Sequence, residues 1–390
     1  MLIHPERWQL LPERFRQDRP RRMLALDGGG IRGLIALGIL ERLEALVFDR
    51  THLRLCDYFD YIAGTSTGAI IAAGLARGMK VAEIIEFYRS SGKQMFELAA
   101  LVQRLKNFYT ADPLKLKLQD FVGRDTTLAS NTLQCLLLIV TKNATTDSPW
   151  PVSNNPDARY NDPLRQDCNL QVPLWQLVRA STAAPVYFPP EILQWDPSDK
   201  NKAFVFVDGG VTPHNNPAFL LYRMATNPAY RLNWKTGEDK LLIVSVGTGA
   251  AESVGATASS PNKNIVSTIT GLSGALMYGI QVEQDINCRT IGRCTYGARL
   301  DREMLDLIPR EVDGDMASPL IPLTTDLGRH FLYARYNADL SAQGLRAAGF
   351  NDVIPANIQK MDGVENMEML HDIGRKAGLA VDAQHLGPFI

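Results

Sequence analysis

Short apolar runs that end in glycine recur along the chain. The run at 23–26 leads into three consecutive glycines, and leucines spaced along one side of a helix follow at 34–47. The run at 58–63 leads into a second glycine turn, and a helix of small apolar residues follows at 69–77. This repeated order predicts an α/β fold with a parallel, doubly wound sheet covered by helices on both faces. Ligands of such sheets bind at the carboxyl ends of the strands.

Later segments extend the same pattern. Three more strands are predicted at 133–141, 203–207 and 241–246. Residues 143–173 are rich in Asn, Asp and Pro, which predicts a long loop, whereas 80–132 and 265–350 carry helical patterns. We therefore expect a core at 20–250 with a cap insertion at about 80–132, and a helical part at 251–390 packed on that core.

Composition narrows the range of functions. Among 390 residues, 41 are Lys or Arg and 42 are Asp or Glu. A protein that binds a nucleic acid polymer needs a surplus of basic residues, so this kind of partner is disfavoured. Five irregularly spaced cysteines make no disulfide framework and favour reduced thiols in the cytoplasm. No targeting signal and no apolar run long enough to cross a bilayer is found, so we expect any action on a membrane to be peripheral.

A serine lies between a predicted strand and a predicted helix, in the motif Gly64-Thr65-Ser66-Thr67-Gly68. Such a turn needs flanking glycines because side chains would collide there, and it projects the serine hydroxyl above the sheet edge. An ordinary turn in which the serine caps the helix is the alternative. The strand before the motif and the small-residue helix after it favour a nucleophile at Ser66.

A glycine loop precedes the first predicted helix and contains Gly28, Gly29, Gly30 and Gly33. One interpretation is a loop that binds the pyrophosphate of a dinucleotide. The other is an oxyanion hole made of bare N–H groups at a helix N-terminus. A dinucleotide site requires an acidic residue at the end of the next strand, where the serine turn lies instead, so the oxyanion hole is favoured. Arg32 either neutralises nearby charge or braces the loop.

A serine needs a base to act as a nucleophile. Asp208 follows a predicted strand and precedes Gly209 and Gly210, and its place at a strand end puts it at the same sheet edge as Ser66. An aspartate is a weak base, but partial desolvation raises its pKa. The alternative for Asp208 is an ordinary Asp-Gly turn. His214 also follows Asp208 closely in the sequence, so a Ser-His-Asp triad remains an alternative.

In this order, the segments 27–33, 64–68 and 208–210 resemble the patatin-like phospholipase family, and the resemblance covers about residues 20–250. It implies a three-layer α/β/α fold with a mostly parallel sheet and helical cap insertions. It also implies hydrolysis of lipid acyl esters by a Ser–Asp dyad without a catalytic histidine.

Carried over by motif, Ser66 would be the nucleophile and Asp208 its base. The oxyanion hole would be formed by Gly28, Gly29 and Gly30, with support from Arg32. The implied substrate is membrane phospholipid, from which phospholipase A-type cleavage releases a free fatty acid. No metal and no other cofactor is implied.

Regulation is also implied by the resemblance. Some bacterial members that resemble this chain are cyclic-nucleotide-activated effectors of phage defence, which implies a cyclic-nucleotide activator as one expectation. A homo-oligomer is left open. Aromatic and cationic side chains at 331–337 would suit stacking on a base and pairing with a phosphate, but helix packing with a surface arginine is the favoured interpretation. The amphipathic stretch 95–108 is interpreted as a core-facing cap helix, with a membrane-docking lid as the alternative.

Overall fold

A nine-stranded sheet forms the centre of the protein. The computed structural model describes residues 14–15, 17–102, 113–185, 187–196, 198–250, 265–298, 300 and 328–390. In these residues the strands are β1 (Arg21–Leu26), β2 (Tyr61–Thr65), β3 (Leu136–Asn143), β4 (Ser148–Ser153), β5 (Glu191–Gln194), β6 (Ala203–Asp208), β7 (Leu241–Val246), β8 (Arg293–Tyr296) and β9 (Leu332–Tyr336).

Helices alternate with these strands over most of the described chain. They are α1 (Gly33–Thr51), α2 (Leu55–Tyr58), α3 (Thr67–Ala76), α4 (Val81–Val102), α5 (Pro113–Val122), α6 (Leu174–Ser181), α7 (Ala218–Thr226), α8 (Ile265–Ile291), α9 (Ala342–Ala347), α10 (Pro355–Ile358) and α11 (Met367–Gly378).

The central strands are continuous apolar runs because both of their faces are covered. β1 lies between β2 and β7 and pairs with both in parallel, so that Met23 is opposite Tyr61 on one side and Ile243 on the other. Parallel pairing continues from β2 to β3 and from β7 through β9 to β8. The pairs of β3 with β4 and β6, and of β5 with β6, are antiparallel. The expected mostly parallel sheet is therefore confirmed.

Helices cover both faces of the sheet, because successive side chains of a strand point to opposite faces. Leu24 and Leu26 of β1 belong to one apolar cluster with residues of α1, α3 and α11, whereas Met23 and Ala25 belong to a second cluster with α7. α11 packs along α1, and α4 and α5 lie in the stretch between β2 and β3. This is the expected three-layer α/β/α arrangement with helical insertions.

Two regions differ from the sequence-based expectation. Residues 265–350 were expected to be helical, but they contain β8 and β9, so the part from 251 onward shares the central sheet with the core. Residues 143–173 were expected to form a loop, but they contain β4. A short buried strand such as β9 is an apolar run that periodicity does not distinguish from a buried helical segment, whereas β4 has the sequence SPWPVS, whose prolines and serines are typical of a loop.

The stretch proposed as a cap helix falls only partly on described residues. α4 ends at Val102 and buries Met95, in line with a core-facing start, whereas 103–108 lie outside the described residues. The sequence at 250–264 is rich in Ala, Ser and Gly, which predicts a surface loop, and all of it except residue 250 also lies outside them. Within the described part of the chain, no helix is both long enough and apolar enough to span a membrane.

Most of the segment 331–337 is the buried strand β9 and not an exposed ligand-binding surface. Every residue of β9 is buried, and Arg335 donates to the two carboxylate oxygens of Asp27 at 2.8 and 2.5 Å. Arg335 also donates to Ser245 Oγ at 2.7 Å. Both interpretations of this segment are therefore wrong: it is a strand and not a helix, and its arginine is not at the surface but neutralises a buried carboxylate inside the sheet.

Replacing Arg335 with Met should lower the free energy of unfolding by about 3–5 kcal/mol, because Asp27 would remain buried without its partner. Arg54→Met is the matched control, since Arg54 pairs with Asp57 at the surface and should cost about 0–1 kcal/mol. Urea denaturation of both variants measures the difference. Equal losses would contradict a special role of the buried pair.

Candidate active site

The strands that carry the predicted serine and aspartate meet end to end on one edge of β3. β2 runs parallel to β3 and ends with Thr65 opposite Val140. β6 runs antiparallel to β3 and ends with Asp208 opposite Thr141. Because β4 occupies the other edge of β3 over 138–143, β2 and β6 share a single edge and run toward each other. The expected parallel sheet would place Asp208 and Ser66 after strands of the same direction. Instead, Asp208 ends a strand that runs in the opposite direction to the strand before Ser66.

Ser66 occupies a sharp turn between β2 and α3. Its φ of 55° and ψ of −123° are rare for a residue with a side chain, a conformation that costs about 1–3 kcal/mol and persists only where the surrounding structure holds it. A glycine is needed at Gly64 because a Cβ there would collide with the backbone of Gly68. The turn directs the hydroxyl of Ser66 to Asp208, and the Oγ–Oδ2 distance is 2.6 Å.

Asp208 is buried, with 4% of its surface exposed. Its Oδ1 accepts a hydrogen bond from Gly210 N–H at 2.6 Å, and its own N–H donates to the Ala183 carbonyl at 2.9 Å. Burial raises the pKa of Asp208 to about 6, although the bonds from Ser66 and Gly210 oppose this shift. A carboxylate with that pKa is ionised at neutral pH and is a stronger base than an exposed one.

The glycine loop lies against the serine turn. A Cβ on Gly28 would lie 3.1 Å from Ser66 Cβ and would collide with Asn215 Oδ1, so this close approach requires glycine. Gly28 N–H donates to the Asn215 carbonyl at 3.1 Å, and the Gly28 carbonyl accepts from Thr248 Oγ1 at 2.7 Å. That N–H is therefore already engaged in this structure, which argues against the predicted use of the Gly28 amide as an oxyanion donor.

The next peptide group of the loop is oriented by the same contacts. In a trans peptide the C=O and the following N–H point in opposite directions. The bond from Thr248 to the Gly28 carbonyl therefore turns the Gly29 N–H away from Thr248, and no described residue accepts a hydrogen bond from it. Arg32 Nε donates to the Gly29 carbonyl at 3.4 Å, so Arg32 braces the loop. Burial lowers the pKa of Arg32 to about 10, which leaves the guanidinium charged.

A segment far along the chain covers the end of the loop. Gly30 has a φ of +61°, and a Cβ there would collide with the Met361 carbonyl. That carbonyl accepts the N–H of Ile31 at 2.9 Å. The glycine loop is thus held from Asn215, Thr248 and Met361, none of which the sequence singled out for this purpose. The remaining predicted glycines begin helices or follow β6: Gly33 starts α1, Gly68 lies in the first turn of α3, and Gly209 and Gly210 form the turn after Asp208.

His214 does not complete a triad. Among the described residues its ring makes no hydrogen bond with Ser66 or Asp208, and its buried Nδ1 has no partner. Burial lowers the pKa of the imidazole to about 4. Its contribution to the site is through the backbone, because its carbonyl accepts a hydrogen bond from Thr65 Oγ1 at 2.7 Å.

Two other kinds of site find no support here. The described residues contain no group of three or more His, Cys, Asp or Glu side chains that could hold a metal ion. The glycine loop could also have bound a dinucleotide. Such a site needs a carboxylate that binds the ribose at the end of the next strand, but the serine turn lies there, directly against Gly28.

A family model described as patatin-like phospholipase matches residues 24–222, which include the glycine loop, the serine turn and Asp208. The chain belongs to the patatin-like phospholipase family. Similar relatives are a cGAMP-activated phospholipase of Escherichia coli, 33% identical over 215 residues (52% of this chain, 55% of the relative), and Patatin-17 of Solanum cardiophyllum, 31% identical over 243 residues (58% and 60%).

The patatin-like chain spans little more than half the length of these relatives. Among solved structures, human GIVD cytosolic phospholipase A2 aligns with a TM-score of 0.47 at 13% identity, over 98% of this chain and 62% of that chain. A similarity of that size adds nothing to the family assignment.

Replacing His214 with Gln should reduce ester hydrolysis by less than about 10-fold, because its ring contacts neither Ser66 nor Asp208. The rate with a p-nitrophenyl ester, measured beside the wild type, checks this. A loss of about 100-fold or more with unchanged thermal stability would instead restore the Ser-His-Asp interpretation.

Proposed function

We propose that this protein hydrolyses acyl ester bonds of glycerophospholipids with a dyad of Ser66 and Asp208. One observation carries the proposal: the 2.6 Å hydrogen bond between Ser66 Oγ and the buried carboxylate, beside the glycine loop. Membership of the patatin-like phospholipase family supports a lipid ester as substrate. The raised pKa of Asp208, about 6, supports its role as the base.

The reaction begins when Ser66 Oγ attacks the ester carbonyl and its proton passes to Asp208 Oδ2. The N–H groups of Gly29 and Gly30 stabilise the oxyanion. As the C–O bond breaks, Asp208 returns the proton to the departing lysophospholipid, and an acyl group remains on Ser66. Asp208 then takes a proton from water, which attacks the acyl carbon, and the fatty acid leaves as Ser66 regains its hydrogen.

The substrate of such a reaction resides in a bilayer, so we propose that the protein works peripherally at a membrane surface. Val211 follows Asp208 by three residues in the sequence, and its apolar side chain is 46% exposed and therefore accessible to acyl chains.

We further propose that a cyclic dinucleotide activates the enzyme, in the antiphage setting that the family resemblance implies. Relatives from Escherichia coli and Vibrio cholerae are named cGAMP-activated phospholipases, at 33% and 30% identity. Because β9 is buried, the activator would bind elsewhere than at 331–337.

Ser66→Ala should lower phospholipid hydrolysis by at least about 1,000-fold, because no other group forms the acyl-enzyme. Asp208→Asn should cost about 100- to 10,000-fold, the usual contribution of a general base. Mass spectrometry of fatty acids released from defined liposomes, together with fluorophosphonate labelling, measures both losses. Ser90→Ala, which removes an exposed hydroxyl on α4, is the control and should keep full activity. Full activity of either dyad variant would refute the mechanism.

The pH dependence follows from the raised pKa of Asp208. The base must be ionised to accept the proton of Ser66, so kcat/KM should fall as pH decreases through about 6 and level off above it. A non-titrating p-nitrophenyl ester as substrate isolates the enzyme's own titration. A midpoint near the ordinary aspartate value, about 3.9, would contradict a desolvated base.

Activation predicts that cGAMP raises liposome hydrolysis by about 5-fold or more, as a typical allosteric coupling does. The linear dinucleotide of the same bases is the control and should have no effect. Identical rates with cGAMP, with a panel of other cyclic di- and trinucleotides, and with buffer alone would reject the activator and leave the dyad unaffected.

A further inference from the structure

The end of α6 lies at the junction where β2 and β6 meet. Ser181, the last residue of that helix, is fully buried. Its Oγ accepts a hydrogen bond from Ser66 N–H at 2.9 Å and donates to the Val140 carbonyl of β3 at 2.6 Å. We propose that Ser181 is a positioning residue that holds the strained turn of Ser66 in its reactive conformation. This inference rests on the proposed hydrolase function.

The direction of the two hydrogen bonds is fixed by chemistry. A carbonyl oxygen only accepts and a backbone N–H only donates, so the Ser181 hydroxyl must give its proton to Val140 and receive that of Ser66. The hydroxyl therefore cannot rotate without losing one partner. It ties the amide of the nucleophile to the strand edge on which both dyad strands end.

The same short segment also contacts the other member of the dyad. Two residues after Ser181, the Ala183 carbonyl accepts the N–H of Asp208 at 2.9 Å. Ser181 and Ala183 therefore contact the backbone of Ser66 and of Asp208, respectively. A segment bonded to the backbone of both residues helps to set the distance between them, in addition to the pairing of their strands with β3.

Loss of the Ser181 hydroxyl would leave two buried backbone groups, Ser66 N–H and the Val140 carbonyl, without this partner. The unfavourable φ and ψ of Ser66 would then be less strongly held, because such strain persists only where the surroundings over-determine it. A shift of the reacting atom by about 1 Å can cost about 100-fold in rate. Since Ser181 is buried beneath the turn and does not face the substrate, the loss should fall on kcat and leave KM nearly unchanged.

Ser181→Ala tests this, with Thr182→Ala as the matched control. Thr182 is the next residue, it is also buried, and its hydroxyl donates to the Arg179 carbonyl at 3.0 Å without a bond to the dyad. Both variants lose one buried hydroxyl, and the thermal unfolding of each is measured so that a loss of stability is separated from a loss of kcat. We expect kcat for a p-nitrophenyl ester to fall about 10- to 100-fold in Ser181→Ala, with a parallel fall in the rate of fluorophosphonate labelling, and to stay near the wild-type value in Thr182→Ala.

Ser181→Cys is the second variant, because a thiol keeps a weak donor and a weak acceptor at the same position. It should lose less kcat than Ser181→Ala, and it can be compared with Thr182→Ala if the alanine variant does not fold. Equal kcat in the Ser181 variants and Thr182→Ala would overturn the positioning role. Failure of the hydrolase proposal would be distinct, because Ser66→Ala would then keep its activity.

Discussion

One edge of β3 is shared by two strands that run in opposite directions, and the candidate site depends on that arrangement. β2 ends opposite Val140 and β6 ends opposite the next residue, so the chain must turn away at both ends within a few ångströms. The hydroxyl of Ser66 and the carboxylate of Asp208 meet in the gap. A ladder of backbone hydrogen bonds, rather than flexible loops, therefore determines the approach of the two side chains.

The glycine loop is fixed by parts of the chain that are remote in sequence. The Asn215 carbonyl accepts the N–H of Gly28, and Thr248 donates to the carbonyl of Gly28. The Met361 carbonyl accepts the N–H of Ile31. Arg335 on β9 neutralises Asp27, the residue between β1 and the glycine loop. Backbone amides can stabilise a developing charge only when they are oriented beforehand, and here three separate segments supply that orientation.

The local motifs were accessible from sequence because each couples a turn to the end of an apolar run. The serine turn, the glycine loop and the position of Asp208 follow from such signals. The direction of a strand does not follow from such signals, because an apolar run has the same pattern in a parallel and an antiparallel pair. The position of β6 was therefore predicted on the assumption of a parallel strand, which is wrong. Arg335 was misjudged because an arginine among aromatic residues is usually exposed, and only a buried carboxylate 308 positions away explains it.

The family match ends at residue 222, before β7 and β9. A chain cut there would leave one edge of β1 bare, with unpaired backbone groups that invite pairing with other molecules. It would also lose Thr248, Met361 and Arg335, and with them the support of the glycine loop. The three motifs that mark the family therefore do not form the site by themselves. In another scaffold that lacks the second half of the sheet, the same residues would not be held in the arrangement described here.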